Sequence, residues 1–547
     1  MLKLIMLMTV TLCFAIEPNW AEGAKVPLGI QGRANIYQLS TDDLFRKVRA
    51  GLVHASQYPV DVTGARIPYQ PLIRMLGNPQ TKGLFPDLFK SFSGVEKWLG
   101  LAPYNRDDGG IGPYSTPKVS SLHPNHRLGT SVFDYNGIKN LSFSCTACHA
   151  YNLFGKTVVG LPNKRSRANR IFELGKAGMR TVGPNLFRVV SGANASETKE
   201  YRRTRQNLKA VGVATPLHLG LDTSLSHVGL SLSRREADAW ATKNSKLERK
   251  PRPNALNYRP GDSKVGTWWI MKYKNKWLSD GSVVSGNPIF TNILWNEIGR
   301  GTDLKELAGW LDENTQIIEE LTATVYAAKA PKWTEYFPLE SIDLAAAKRG
   351  GVLFENNCSQ CHGSYTKGWD LDPGADLSEQ LATKDFEYFE DTPIIDVETD
   401  PYRYEGMRYF YRDLNRLEIS KRSMTVVRPQ KGYIPPPLEG IWARFPYLHN
   451  GSVPTLCDLL TPASDRTEEF YQGPSQDITR DYDADCVGYP VGASIPESWK
   501  KDRDAKVVTK GAGLSNQGHE SMLYNSDGSL KFSSDEKRDL IEFLKTL

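Results

Sequence analysis

The clearest helical period lies in "NTQIIEELTATVYAAKAPKW" (residues 314–333), where Ile317, Leu321 and Val325 share one face and Pro331 stops the helix. A second helix closes the chain in "SSDEKRDLIEFLKTL": Leu540, Leu544 and Leu547 line one side, and Ser533 with Glu536 makes a capping box at its start. The stretch "DLAAAKRGGVLFENN" (343–357) reads as a third helix, built on small residues, whereas "DYNGIKNLSF" (134–143) reads as loop or strand. At the N-terminus a basic "MLK" precedes the apolar "LIMLMTVTLCFAI", which is too short to span a bilayer, and the polar "EPNWAEGAK" follows. This pattern predicts a signal peptide over residues 1–22, cut near Ala21 to Ala24, and a periplasmic or secreted mature chain. Beyond Ala24 no apolar stretch approaches transmembrane length.

Composition adds little to this picture except through cysteine. With 40% apolar and 10% aromatic residues among 547, the chain can build substantial cores. A net charge of +6 from 68 basic and 62 acidic residues, with no polybasic block, gives no path for nucleic acid. Yet of only seven cysteines, four fall in two copies of Cys-x-x-Cys-His, "CTACH" at 145–149 and "CSQCH" at 358–362.

Adjacent thiols at this spacing followed by histidine are the attachment signature of a c-type haem: the cysteines bond the haem vinyl groups and the histidine reaches iron. A zinc ribbon brings its second Cys pair within about 20 residues, whereas here it begins only at Cys358. A thioredoxin-like dithiol needs no histidine and expects a βαβ setting. Cys145, Cys148 and His149 are therefore assigned to haem 1, and Cys358, Cys361 and His362 to haem 2. Two covalently bound c-type haems, with iron, are the expected cofactors. Cys457 and Cys486 remain, and in an oxidising compartment a disulfide between them would close a loop worth about 3 kcal/mol.

The helix before Cys358 looks like the first helix of a cytochrome c domain, and the terminal helix resembles the one that packs across it. Haem 1 lacks such a lead-in, so its half reads as a loop-rich module. The expected fold is mainly α: an N-terminal haem domain over 23–335, enlarged by a loop-rich, aromatic insertion, and a C-terminal cytochrome c-like domain over 336–547. Trp268, Trp269, Trp277, Trp295 and Trp310 crowd that insertion. Tryptophan is usually core. Some of these are candidates to wall the haem 1 pocket or to lie between the haems.

Downstream, "PYLHNGSVPTL" (446–456) resembles the Pro-Tyr-x-His-Asp-Gly-Ser segment of the bacterial di-haem cytochrome c peroxidase superfamily, which also includes the methylamine-dehydrogenase maturation enzyme and the secreted rubber oxygenases. The typical peroxidase places a distal histidine soon after its first haem motif, but from Ala150 through Leu217 this chain has none. The resemblance then implies that haem 1 is open and reactive and haem 2 transfers electrons. The typical peroxidase uses a methionine shortly after its His-Asp-Gly segment, but "HNGSVPTLCDLLTPASD" offers none. His519 in "SNQGHESM" resembles a Gly-His element of rubber-oxygenase-like members and is the favoured sixth ligand of haem 2. His449 is expected to contact the haem or its propionates, and Met424 and Met522 are alternatives.

At haem 1, Glu297 with Arg300 nearby is the candidate acid for peroxide chemistry, and Trp268 and Trp269 the candidate dry wall for oxygen insertion into an apolar substrate. The leading expectation is a peroxidase-type oxidoreductase that takes hydrogen peroxide or dioxygen and electrons from a redox protein. A rubber-oxygenase-like dioxygenase and a plain di-haem electron carrier are the alternatives.

Overall fold

Strands β1 (Ile67–Pro68), β2 (Thr130–Tyr135) and β3 (Ile138–Phe143) form a small antiparallel sheet with β3 in the middle. Asn136 and Gly137, at φ of 52° and 74°, make the two-residue turn joining Tyr135 to Ile138. Two successive positive φ values match the strand twist, and Asn-Gly is the pair that adopts them most easily. The next pair, β4 (Ala150–Leu153) and β5 (Lys156–Val159), turns in the same way through Phe154 and Gly155. The first Cys-x-x-Cys-His segment thus lies between two hairpins, which explains why no helix leads into it.

The computed structural model in which these elements are seen describes residues 16–77, 91–118 and 126–547. The apolar core of the expected signal peptide lies outside them. Among the described residues, no helix is long and apolar enough to cross a membrane. The architecture is mixed, 41% helix and 11% strand, rather than mainly α. Glycine and proline, 46 and 33 residues in all, break the chain into short pieces that pair as two-stranded ribbons.

Helices α1 (Thr41–Ser56), α2 (Pro288–Gly299) and α3 (Thr315–Tyr326) organise one core. Leu321 and Val325 of α3 are buried and Ile317 packs partly against the same core, but the helix ends at Tyr326, ahead of Pro331. Where α1 crosses α3, a Cβ on Gly51 would stand 2.1 Å from the Glu320 carbonyl oxygen, so only glycine permits the approach that buries Val48, Leu52 and Ala55. Each Val or Leu so buried contributes roughly 1.5–3 kcal/mol.

The second core centres on α4 (Leu344–Asn357) and α5 (Ser534–Lys545), crossing where a Cβ on Gly350 would meet the Asp539 carbonyl oxygen at 1.9 Å. Arg349 grips the Asp539 carboxylate through two hydrogen bonds of 2.8 and 2.7 Å, and the Ser533–Glu536 capping box is formed. A disulfide joins Cys457 to Cys486. Both cores draw on both sides of residue 335: Met407 to Val427 contribute to the first, and Tyr151, Leu161 and Trp269 to the second.

Candidate functional site

Both Cys-x-x-Cys-His segments open onto one continuous cavity of about 530 Å³. At the first, Ser144 ends the hairpin and a single helical turn, Thr146–His149, follows. Gly129, at φ 103°, lets the chain pass where a Cβ would lie 2.7 Å from the Ala147 Cα. The His149 backbone N–H donates to the Cys145 carbonyl at 3.0 Å, bringing Cys145, Cys148 and His149 onto one turn. His149 donates from Nδ1 to the Gly266 carbonyl at 3.0 Å, which leaves Nε2 as the free lone pair. Burial pulls its pKa down to about 4, so the ring is neutral, the form that binds metal. The Trp268 ring lies 5.4 Å from it.

The second segment is built differently to the same end. Helix α4 runs directly into the turn Ser359–His362, and His362 donates from Nδ1 to the Pro436 carbonyl at 2.8 Å. Burial lowers its pKa to about 4. Facing it is His519, ring centre to ring centre 6.3 Å. Two imidazoles on opposite sides of one metal ion, each about 2.0 Å from it, have ring centres roughly 6 Å apart. The donor set therefore fits a haem iron held by two histidines.

His519 is held there under backbone strain. Its φ is 61°, uncommon for a residue with a side chain, and the preceding Gly518 takes 92° where a Cβ would meet Thr399 Cγ2 at 2.4 Å. The His519 N–H donates to the Val397 carbonyl at 2.9 Å. The His-Asn-Gly-Ser segment braces the same loop: Asn450 Nδ2 and Ser452 Oγ both donate to the Ser515 carbonyl at 2.9 Å. Arg466, which carries no motif that would mark it in the sequence, donates to the carbonyls of Asn516 and Gly518. His449 lines the cavity but stacks flat on Tyr433 at 3.9 Å. Met522 also lines the cavity; Met424 does not, and is half-exposed.

Trp268 is the ring beside His149, and the cavity wall also carries the apolar side chains of Trp277, Val283, Ile289, Ile293, Trp295, Leu321 and Val325. Of the nine histidines, His123 lies outside the described residues. His218 lines the cavity, but its Nδ1 and Nε2 are both engaged by carbonyls, Leu219 at 2.8 Å and Asn450 at 2.9 Å. His54 and His126 pair with Glu320 and Glu96, and His227 packs on Phe172. Among the described residues, no histidine faces His149 as His519 faces His362.

Adjacent tryptophans part company. Trp268 lines the cavity, whereas Trp269 is fully buried in the second core and donates from Nε1 to the Glu439 carbonyl at 2.8 Å. Glu297 does not reach the cavity wall. Its buried carboxylate accepts from Tyr58 at 2.6 Å, Thr63 at 3.0 Å and Thr302, with Arg300 3.8 Å away. Arg300 in turn donates to the Phe143 carbonyl at 2.9 Å, so this network braces the hairpin that delivers Cys145. Replacing Glu297 with alanine is expected to lower the unfolding free energy by about 3–5 kcal/mol, because it strands a buried partner charge, while covalent haem content persists. Denaturant unfolding with haem quantification checks this.

Residues 432–471, which carry the His-Asn-Gly-Ser segment and Arg466, match the family described as RoxA-like, cytochrome c-like. A cytochrome c-like match implies covalently bound c-type haem, and among the groups that the sequence resembles it supports the rubber-oxygenase-like di-haem cytochromes. Over 232 residues, 38% of the chain, the sequence is 32% identical to the uncharacterized protein y4iM of Sinorhizobium fredii (strain NBRC 101917 / NGR234). Over 269 residues, 40% of the chain, it is 29% identical to the uncharacterized protein y4iJ of the same strain. The aligned parts span 49% and 41% of those relatives, so the chain covers about half their length or less.

Proposed function

We propose that the protein is an exported di-haem oxidoreductase of the rubber-oxygenase-like kind, with haem 1 as the reactive centre and haem 2 as the electron-transfer centre. One observation carries the reading: the His519 ring lies 6.3 Å from that of His362, whereas among the described residues no histidine pairs with His149 in this way and Trp268 lies beside it. Cys145 and Cys148 would attach haem 1 and Cys358 and Cys361 haem 2, with His149 and His362 as the axial histidines. A haem iron with an open position binds dioxygen or peroxide, and one with two protein ligands passes electrons.

The chain's own residues serve these tasks in distinct ways. Gly266 and Pro436 fix the two axial rings in one tautomer through Nδ1. Trp268, Ile293 and Leu321 supply a dry wall that excludes water and accepts an apolar substrate. The signal-like N-terminus, covalent haem and the Cys457–Cys486 disulfide agree with an extracytoplasmic location, and a redox protein is the expected electron partner. A peroxidase-type reaction is the second reading, favoured by Asp222, a carboxylate on the cavity wall.

Incubation with dioxygen and polyisoprene, or other unsaturated hydrocarbons, is compared with incubation with hydrogen peroxide and a reduced donor. Oxygen uptake with carbonyl products from the alkene supports the first reading. Donor oxidation by peroxide, without oxygen uptake in the alkene arm, overturns it in favour of the second.

A further inference from the structure

Five cations line the cavity onto which both Cys-x-x-Cys-His segments open; Arg403 lies 4.0 Å from the Asp280 carboxylate, and among the described residues the other four, Lys164, Lys264, Lys274 and Arg444, make no ion pair. Two are partly satisfied by one stretch of backbone: Lys164 Nζ donates to the carbonyls of Ala443 and Phe445 at 2.6 Å, and Lys264 Nζ to those of Arg444 at 3.3 Å and of Pro446. Arg444 uses Nη1 on the Pro437 carbonyl at 2.6 Å, and its fork retains further N–H donors. Lys274 is 7% exposed and its ammonium has no hydrogen-bond partner among the described residues. Burial, with Arg444 close by, pulls Lys264 down to about 7 and Lys274 to about 8. Like charges gathered away from water are costly unless an anion joins them.

The cluster also touches both axial histidines through the chain. Lys264 lies two residues before Gly266, whose carbonyl orients His149, and Arg444 holds the carbonyl of Pro437, next to the Pro436 carbonyl that orients His362. We propose, resting on the di-haem reading, that Lys264, Lys274 and Arg444, with Lys164 beside them, form one receptor for the propionate carboxylates of both haems and thereby set the reduction potentials of both. Each haem carries two propionates, so four carboxylates meet four cations. A positive charge near iron favours the reduced form, and its loss favours the oxidised one.

The test is a spectroelectrochemical titration of the full-length, haem-loaded protein and of Lys274→Met, Lys264→Met and Lys274→Arg, with the haem count taken on each sample. Both midpoints are expected to move to lower potential in the two methionine variants and to return to the wild-type values in Lys274→Arg. Midpoints that do not move, as when the cluster instead receives a free carboxylate substrate, overturn the proposal, and so does movement of one midpoint alone. Fewer than two haems in the wild-type protein would overturn the di-haem reading itself, a failure distinct from unmoved midpoints in a protein that carries both.

Discussion

Replacing Cys358 and Cys361 together with alanine is expected to halve the covalently bound haem and to remove the low-spin signal, leaving haem 1 attached. The two thiols sit on the turn that continues α4, and that helix packs at Gly350 against α5 with no room for a side chain between them. The turn is therefore presented by a rigid element, and losing its thiols removes the attachment chemistry without moving the hairpins that present Cys145 and Cys148. The reciprocal change, Cys145 and Cys148 to alanine, is expected to leave the low-spin haem and abolish turnover. Intact-protein mass spectrometry and haem quantification on both variants check the outcome; loss of both haems from either variant would show that the two sites load as one unit.

His519→Ala is expected to convert haem 2 from low-spin to high-spin and to leave haem 1 unchanged, with added imidazole restoring the low-spin spectrum. The ring stands 6.3 Å from that of His362, on a strained loop that Asn450, Ser452 and Arg466 hold in place. Arg466→Ala removes two donors from the same loop and is expected to weaken the low-spin signal in part. An unchanged low-spin spectrum in His519→Ala would transfer the ligand to His449 or Met522, both of which line the cavity.

Much of this site can be read from local sequence, because its strongest signals are local. Each Cys-x-x-Cys-His run of this chain gathers its two cysteines and its histidine on one helical turn. The Ser533–Glu536 box and the leucine period mark the terminal helix for the same reason. What cannot be read is set by long-range packing. Trp268 and Trp269 are neighbours in the chain, yet one faces the cavity and the other the second core. Glu297 and Arg300 read as an acid with a charge partner, but Tyr58, Thr63 and Thr302 come from remote or turning segments to occupy the carboxylate. Each core draws on residues from both sides of position 335, a mixing that no local pattern announces. The cation cluster is the extreme case: Lys164, Lys264, Lys274 and Arg444 belong to no motif, and only the folded chain brings them to one cavity.

The division of labour between the two centres is tested most directly by electron paramagnetic resonance of the oxidised protein together with carbon monoxide binding to the reduced protein. One high-spin haem that binds carbon monoxide and one low-spin, bis-histidine haem that does not are the expected result. Two low-spin haems, both inert to carbon monoxide, dioxygen and peroxide, would contradict the account and leave a di-haem electron carrier.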